Sequence, residues 1–179
     1  GYDSGEAYSF DGTDDFVETP DHPVDTEVSV AFWIDADSTG HDRPVFGFNS
    51  NFFGSGSDAT FTFRFDTVGF ESGNSECFNV AVNSTFNETE ANVTSTNPMH
   101  IVVTYSAGNL PRVYKNGSEL TFATSNTPSN GIGTDSDGFY VGRGPDPDEY
   151  TQGVVDDPRV YDKELTPTEV SNLFNTGSI

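Results

Sequence analysis

The chain has 179 residues, with 29 Asp and Glu against seven Lys and Arg, and a formal net charge of −22 at pH 7. Such a field repels nucleic acid and anionic lipid and excludes both as partners. A lone Cys77 rules out an intramolecular disulfide and a cysteine-built zinc site, and no apolar run has the length of a membrane-spanning helix.

Sixteen Phe and 17 Val against four Leu suit a pleated sheet. The length suits one all-β domain over residues 1–179. Starting at Gly1, the sequence reads as a mature protein or as one domain of a larger one. With two lysines, Lys115 and Lys163, few cations offset the carboxylates, and the expected setting is concentrated salt. There the screening length shrinks to about 3 Å and self-repulsion is relieved.

In chain order, strands are predicted over 7–10, 15–18, 28–35, 44–49, 60–66, 76–83, 99–106, 111–115, 119–122, 138–142 and 153–161. Clusters of Gly, Asp, Asn, Ser and Pro separate them, the pattern of an antiparallel sandwich. Alternation puts Val28, Val30, Phe32 and Ile34 on one face and Ala31 and Trp33 on the other. Phe61, Phe63 and Phe65 form a second single-face stripe and read as core, and Cys77 reads as a small buried hydrophobe. Residues 83–98 are polar and poorly periodic and read as an exposed loop. Asn116-Gly117 marks a tight hairpin. At the end, Thr166 as N-cap, Pro167 at the first helical position and Glu169 completing a capping box predict a helix over 167–174. Its apolar face is Val170, Leu173 and Phe174, and Gly177 ends it.

Five segments, in order, carry a resemblance. They are Tyr8-Ser-Phe-Asp-Gly-Thr-Asp-Asp-Phe-Val17, Val28-Ser-Val-Ala-Phe-Trp-Ile34, Met99 to Gly117, Phe139-Tyr-Val-Gly-Arg143 and the closing segment Gly153 to Phe174. Together they resemble the laminin-G-like, concanavalin-A-like domains. The resemblance implies a two-sheet antiparallel jelly-roll sandwich with one short C-terminal helix and both termini at one end. Met99 stands where the family usually has Trp. Pro111 interrupts a hairpin strand, which suggests an edge position or a bulge.

Some fold relatives hydrolyse glycans with carboxylates alternating along one strand, a pair set about 5–9 Å apart. No such run occurs here: Glu88-Thr-Glu90 falls in the predicted loop, and Asp135 and Asp137 precede a strand. His22, His41 and His100 have no Ser or Cys partner in a recognised arrangement, so no catalytic residue is assigned. Phe63-Arg-Phe-Asp-Thr67 resembles a lectin metal strand, but Arg64 replaces the ligating carboxylate. Gly133 to Gly138 echoes an EF-hand loop while lacking its first and last acidic ligands, and reads as a turn. The candidate metal residues are Asp11, Asp14 and Asp15 in the first tight turn, with Asp156 or Asp157 of the closing strand. The resemblance implies a structural Ca2+ held there by Asp11 and Asp156, since hard oxygens suit that ion. Asp11 capping its own turn is the alternative.

Sequons at Asn83, Asn87, Asn92 and Asn116 are candidate glycosylation sites, three of them inside the predicted loop. Phe52, Phe53 and Tyr150 are loop aromatics able to stack on sugar rings. The expectation is a non-enzymatic, extracellular recognition module that binds glycan or a cell-surface protein. It would sit on a halophile's surface or on the virion of a virus infecting one. A structural spacer domain is the second reading and a glycan-active enzyme the third.

Overall fold

The computed structural model describes residues 7–21, 26–37, 43–48, 61–66, 76–83, 85–90, 97–128, 132, 138–144 and 149–179. These form two antiparallel sheets and one terminal helix, a jelly-roll sandwich. The strands are β1 Tyr8–Asp11, β2 Val17–Asp21, β3 Glu27–Ala36, β4 Arg43–Phe48, β5 Phe61–Asp66, β6 Cys77–Val82 and β7 Thr85–Thr89. They continue with β8 Met99–Ser106, β9 Arg112–Lys115, β10 Ser118–Glu119, β11 Phe122–Thr124, β12 Gly138–Val141 and β13 Gln152–Tyr161. Helix α1 is Pro167–Thr176. One sheet has six strands in the order β1-β13-β3-β8-β9-β10, the other seven in the order β11-β7-β6-β5-β4-β12-β2.

The alternation read from the sequence decides what lies between the sheets. Val28, Val30, Phe32 and Ile34 of β3 meet Phe46, Phe61, Phe63, Phe65 and Phe78 across the interface, all buried. Phe32 packs edge-on against Phe46 and Phe63, with centroids at 5.6 and 5.7 Å, and Phe46 stacks on Phe63 at 5.7 Å. These offset and edge contacts are the geometry that aromatic quadrupoles prefer. Cys77 is buried on the opposite face of β6 from Phe78.

The capping box at α1 is present as read. Glu169 N–H donates to Thr166 Oγ1 (3.3 Å), and Thr166 N–H donates to Glu169 Oε2 (2.8 Å). Lys163 and Thr166 together hold the Glu169 carboxyl at about 2. Gly177 closes the helix with φ 73°. In the hairpin, Asn116 and Gly117 both have positive φ, 51° and 78°, matching a type I′ turn between β9 and β10.

Three expectations change. The stretch 83–98 is not all loop: Thr85–Thr89 is a strand, paired to β6 from Val82↔Thr85 to Asn79↔Glu88. Its Asn87 and Glu88 are buried, so no apolar alternation announced it. The predicted strand 119–122 is two strands in different sheets. Leu120 N–H still donates to Val113 O (2.8 Å), whereas Glu90 N–H donates to Thr121 O (3.0 Å), so the chain changes sheet between neighbouring residues. Pro111 lies one residue before β9, a strand flanked on both sides by β8 and β10, so it marks neither an edge nor a bulge.

Candidate functional site

The sandwich has two outer faces, and they differ. Over the six-stranded sheet, Ala31, Val102 and Tyr114 point outward into an apolar layer with Leu165, Val170 and Leu173, so α1 seals that face. Beside them Trp33 lies 5.2 Å from His100 and 5.9 Å from Phe174, centroid to centroid. Burial holds His100, 5% exposed, at a pKa of about 4, against the opposing pull of Asp157. Arg159 ties the corner together: its guanidinium pairs with both carboxylate oxygens of Asp157 (2.8 and 2.6 Å), and Nη1 donates to Gly177 O (2.7 Å).

Over the seven-stranded sheet the outward positions mix polar residues with Cys77, Ala81 and Phe86. Register places Arg64 of β5 beside Asn79 of β6 and Asn79 beside Glu88 of β7, all three buried. Asn79 Nδ2 donates to Glu88 Oε1 (3.4 Å), and the Arg64 guanidinium carbon stands 5.9 Å from the Phe86 ring centroid. Toward the other edge the face opens. Tyr140 of β12 lies between Gly47 of β4 and Glu18 of β2, and its hydroxyl donates to Glu18 Oε1 (3.1 Å).

Beyond Tyr140 the chain turns at Gly142, whose φ of 94° and lack of Cβ are both required. A Cβ there would lie 2.3 Å from Cε1 of the buried Phe10. The turn delivers Arg143 into a wedge between two rings. Its guanidinium carbon is 4.7 Å from the Phe16 centroid and 4.6 Å from the Tyr140 centroid, with the rings 6.2 Å apart and inclined at 52°. Both contacts are within cation–π range. Phe16 is 40% exposed, and Arg143 and Tyr140 are half-buried. An exposed aromatic edge around an oriented cation is the described surface best able to take a polar ligand with flat apolar faces.

A cleft of about 610 Å³ opens elsewhere, at the β10–β11 side, lined by Leu110, Arg112, Glu119, Phe122, Thr127 and Glu164. Its Arg112 is paired with Glu119 (3.7 Å), and Phe122 packs against the core, so both potential contacts are already engaged.

Tyr150 is half-buried and forms a backbone bridge to Arg143, which brings it to the edge just described. Phe52, Phe53, Asn92, His22, His41 and residues 133–137 lie outside the described residues. The aspartates are not brought together. Asp11 stands opposite Gln152, four residues along β13 from Asp156, about 13 Å at strand rise. Asp156 is instead the register partner of Trp33, and Asp157 is committed to Arg159. Asp11 caps its own turn: Oδ1 accepts from Thr13 N–H (2.8 Å), while Asp15 Oδ2 accepts from Asp11 N–H (3.2 Å), with Asp14 exposed beside them. The set Asp11, Asp14 and Asp156 therefore does not fit one ion. Among the described residues no group of three or more His, Cys, Asp or Glu forms a metal-sized cluster.

The sequons also separate. Asn87 is 0% exposed with Oδ1 accepting from Asn126 N–H (2.7 Å), so the folded chain cannot carry a glycan there. Asn83 is half-buried in the β6–β7 turn with φ 49°. Asn116 is exposed and its Oδ1 accepts from His100 N–H (2.9 Å).

Sequence reasoning missed Phe16, Tyr140 and Arg143 as a set, although each lay in a quoted motif. Alternation in Phe139-Tyr-Val141 does put Tyr140 on the solvent side. Nothing local pairs it with a residue 124 positions earlier. On the strands of this sheet, Glu18 on β2 and Glu88 on β7 stand five strand spacings or about 24 Å apart, with Asp21 and Asp66 at the ends of β2 and β5. A glycosidase pair needs about 5–9.5 Å.

The sequence profile of the Concanavalin A-like lectin/glucanases superfamily, of laminin-G type, matches residues 11–171. Among curated proteins none matches the sequence. Domain 4 of AbnA, an extracellular arabinanase of Geobacillus stearothermophilus solved with arabinotriose, superposes with a TM-score of 0.70 at 19% identity, covering 93% of this chain and 75% of that one. The CBM40 of a Ruminococcus gnavus IT-sialidase, bound to α2,3-sialyllactose, gives 0.67 at 10% identity over 94% and 96%. Domains LG4-5 of the mouse laminin α1 chain give 0.62 at 11% over 89% and 44%. At these identities the likeness is one of fold.

Proposed function

The chain belongs to the concanavalin-A-like lectin/glucanase superfamily, and on that premise we propose that it is a non-enzymatic module that binds glycan at the Phe16–Arg143–Tyr140 edge. The observation that carries this reading is the wedge itself: two aromatic rings, one 40% exposed, holding a guanidinium at 4.6–4.7 Å. Sugars present C–H faces that stack on rings and hydroxyls that accept from guanidinium N–H groups. Two modules of the same fold were solved with oligosaccharides, arabinotriose in one and sialyllactose in the other.

The charge of −22 supports an extracellular setting in concentrated salt, on a cell or virion surface. The test is a glycan array run in about 3 M KCl, a salt level at which screening is nearly complete, followed by titration of the hits. Phe16→Ala and Tyr140→Ala are each expected to weaken binding about tenfold, the size of a contact of about 1.4 kcal/mol. Blank arrays in high and low salt would favour a spacer domain instead. The salt setting has its own check: unfolding temperatures equal in about 0.1 M and 3 M KCl would remove it, since screening differs severalfold between them.

A further inference from the structure

Seven cations share this chain with 29 carboxylates, and three of the described ones are ion-paired. Arg112 pairs with Glu119, Arg159 with Asp157 and Lys163 with Glu169. Arg143 does not follow. Among the described residues, its Nε donates to the carbonyl of Gly144 (3.4 Å), its guanidinium lies against the Phe16 and Tyr140 rings, and no described carboxylate pairs with it. Glu18 and Glu149 border the patch, yet Glu18 accepts from the Tyr140 hydroxyl, and neither glutamate pairs with Arg143.

Ring contacts orient a guanidinium without using its N–H groups. With Nε turned to Gly144, the four Nη hydrogens have no acceptor among the described residues. They form the planar fork that matches a carboxylate in two parallel hydrogen bonds. A half-buried cation with no described carboxylate partner, among so many acids, points to a ligand that supplies the anion. We infer that the ligand at this edge is an acidic sugar, whose ring lies against the exposed Phe16 and whose carboxylate accepts from Arg143 Nη1 and Nη2. This rests on the glycan-binding reading above. The net charge narrows the class further. A densely sulfated polymer would meet long-range repulsion from the whole surface, whereas an isolated uronate needs a short-range contact that survives strong screening.

The experiment titrates wild type, in high and low salt, with a neutral oligosaccharide carrying one terminal uronate, with the same oligosaccharide methyl-esterified at that carboxyl, and with a sulfated oligosaccharide. The free acid is expected to bind at least about tenfold tighter than the ester, one charge-assisted contact of about 1.4 kcal/mol. Arg143→Gln should collapse that ratio toward one, and Arg143→Lys should restore part of it, since charge returns without the fork. Arg112→Gln, at the separate cleft, should leave the ratio as it is in wild type. Unfolding curves for each variant separate lost binding from lost fold. Equal affinity for acid and ester overturns the inference, as does preference for the sulfated arm or equal loss of both ligands in Arg143→Gln. The glycan reading survives those outcomes if any sugar binds. Failure of every sugar, neutral or acidic, overturns both.

Discussion

The outer face of the six-stranded sheet and that of the seven-stranded sheet follow the same alternation rule and use it oppositely. On the first, outward positions are apolar or aromatic (Ala31, Val102, Trp33), and α1 closes over them. On the second, Arg64, Asn79 and Glu88 hold polar groups inside the protein, and the far edge leaves Phe16 at the surface beside Arg143. A covered apolar face is a stabilising device, because burial is favourable and tolerates little change in volume. An aromatic edge left exposed contributes little to folding and stays available to a ligand. One sheet thus anchors the fold, and the other presents a surface.

The sharpest way to break that contrast is Leu173→Ala. Leu173 is 3% exposed in the helix–sheet layer, and its truncation should lower unfolding free energy by about 2–5 kcal/mol in a chemical denaturation. An unchanged midpoint would mean that α1 does not hold its face.

Next is pH. Burial holds folded His100 at about 4 against about 6.5 for the unfolded residue. The unfolded state therefore takes up the proton first. The stability carried by neutral His100 is present above about pH 6.5 and is lost as pH falls from there toward 4, on the order of 3 kcal/mol over the window. His100→Gln, measured in the same high salt, should flatten that slope. Parallel wild-type and variant curves would place the titration elsewhere.

Thr166→Ala removes the cap that starts α1, and a loss of about 1 kcal/mol should appear as a modest drop in melting temperature. At the opposite face the stability effects should be smallest. Phe16→Ala and Arg143→Gln should each stay within about 1 kcal/mol of wild type by denaturation, since they remove exposed cation–π contacts. The same two variants should lose sugar affinity. A large destabilisation there would make the wedge a structural clamp rather than a ligand edge.

Much of the fold was legible. The Val28–Ile34 alternation, the Phe61–Phe65 stripe, the Asn116-Gly117 turn and the Thr166–Glu169 box each state a rule within a few residues, and the structure follows all four. Strand β7 was not legible, because Thr85-Phe-Asn-Glu-Thr89 buries polar side chains, and Asn87 Oδ1 finds its donor 39 residues away at Asn126 N–H. Burial of Asn87 decided against its sequon in the same way. Of the candidate site only Tyr150 was named from the sequence, for its aromaticity, and its backbone bridges to Arg143.

By itself, then, the sequence determined most of the strand segments, the apolar faces of β3 and β5 and where the final helix starts and stops. Those properties come from periods of two and 3.6 and from caps that act over three residues. Only the tertiary structure decided which residues meet. Register set Asp11 opposite Gln152 and kept it from Asp156. It also laid β12 against β2, so that Phe16, Tyr140 and Arg143 converge from opposite ends of the chain. Cross-strand pairing is fixed by packing summed over the whole sheet, and no short window of sequence contains that sum.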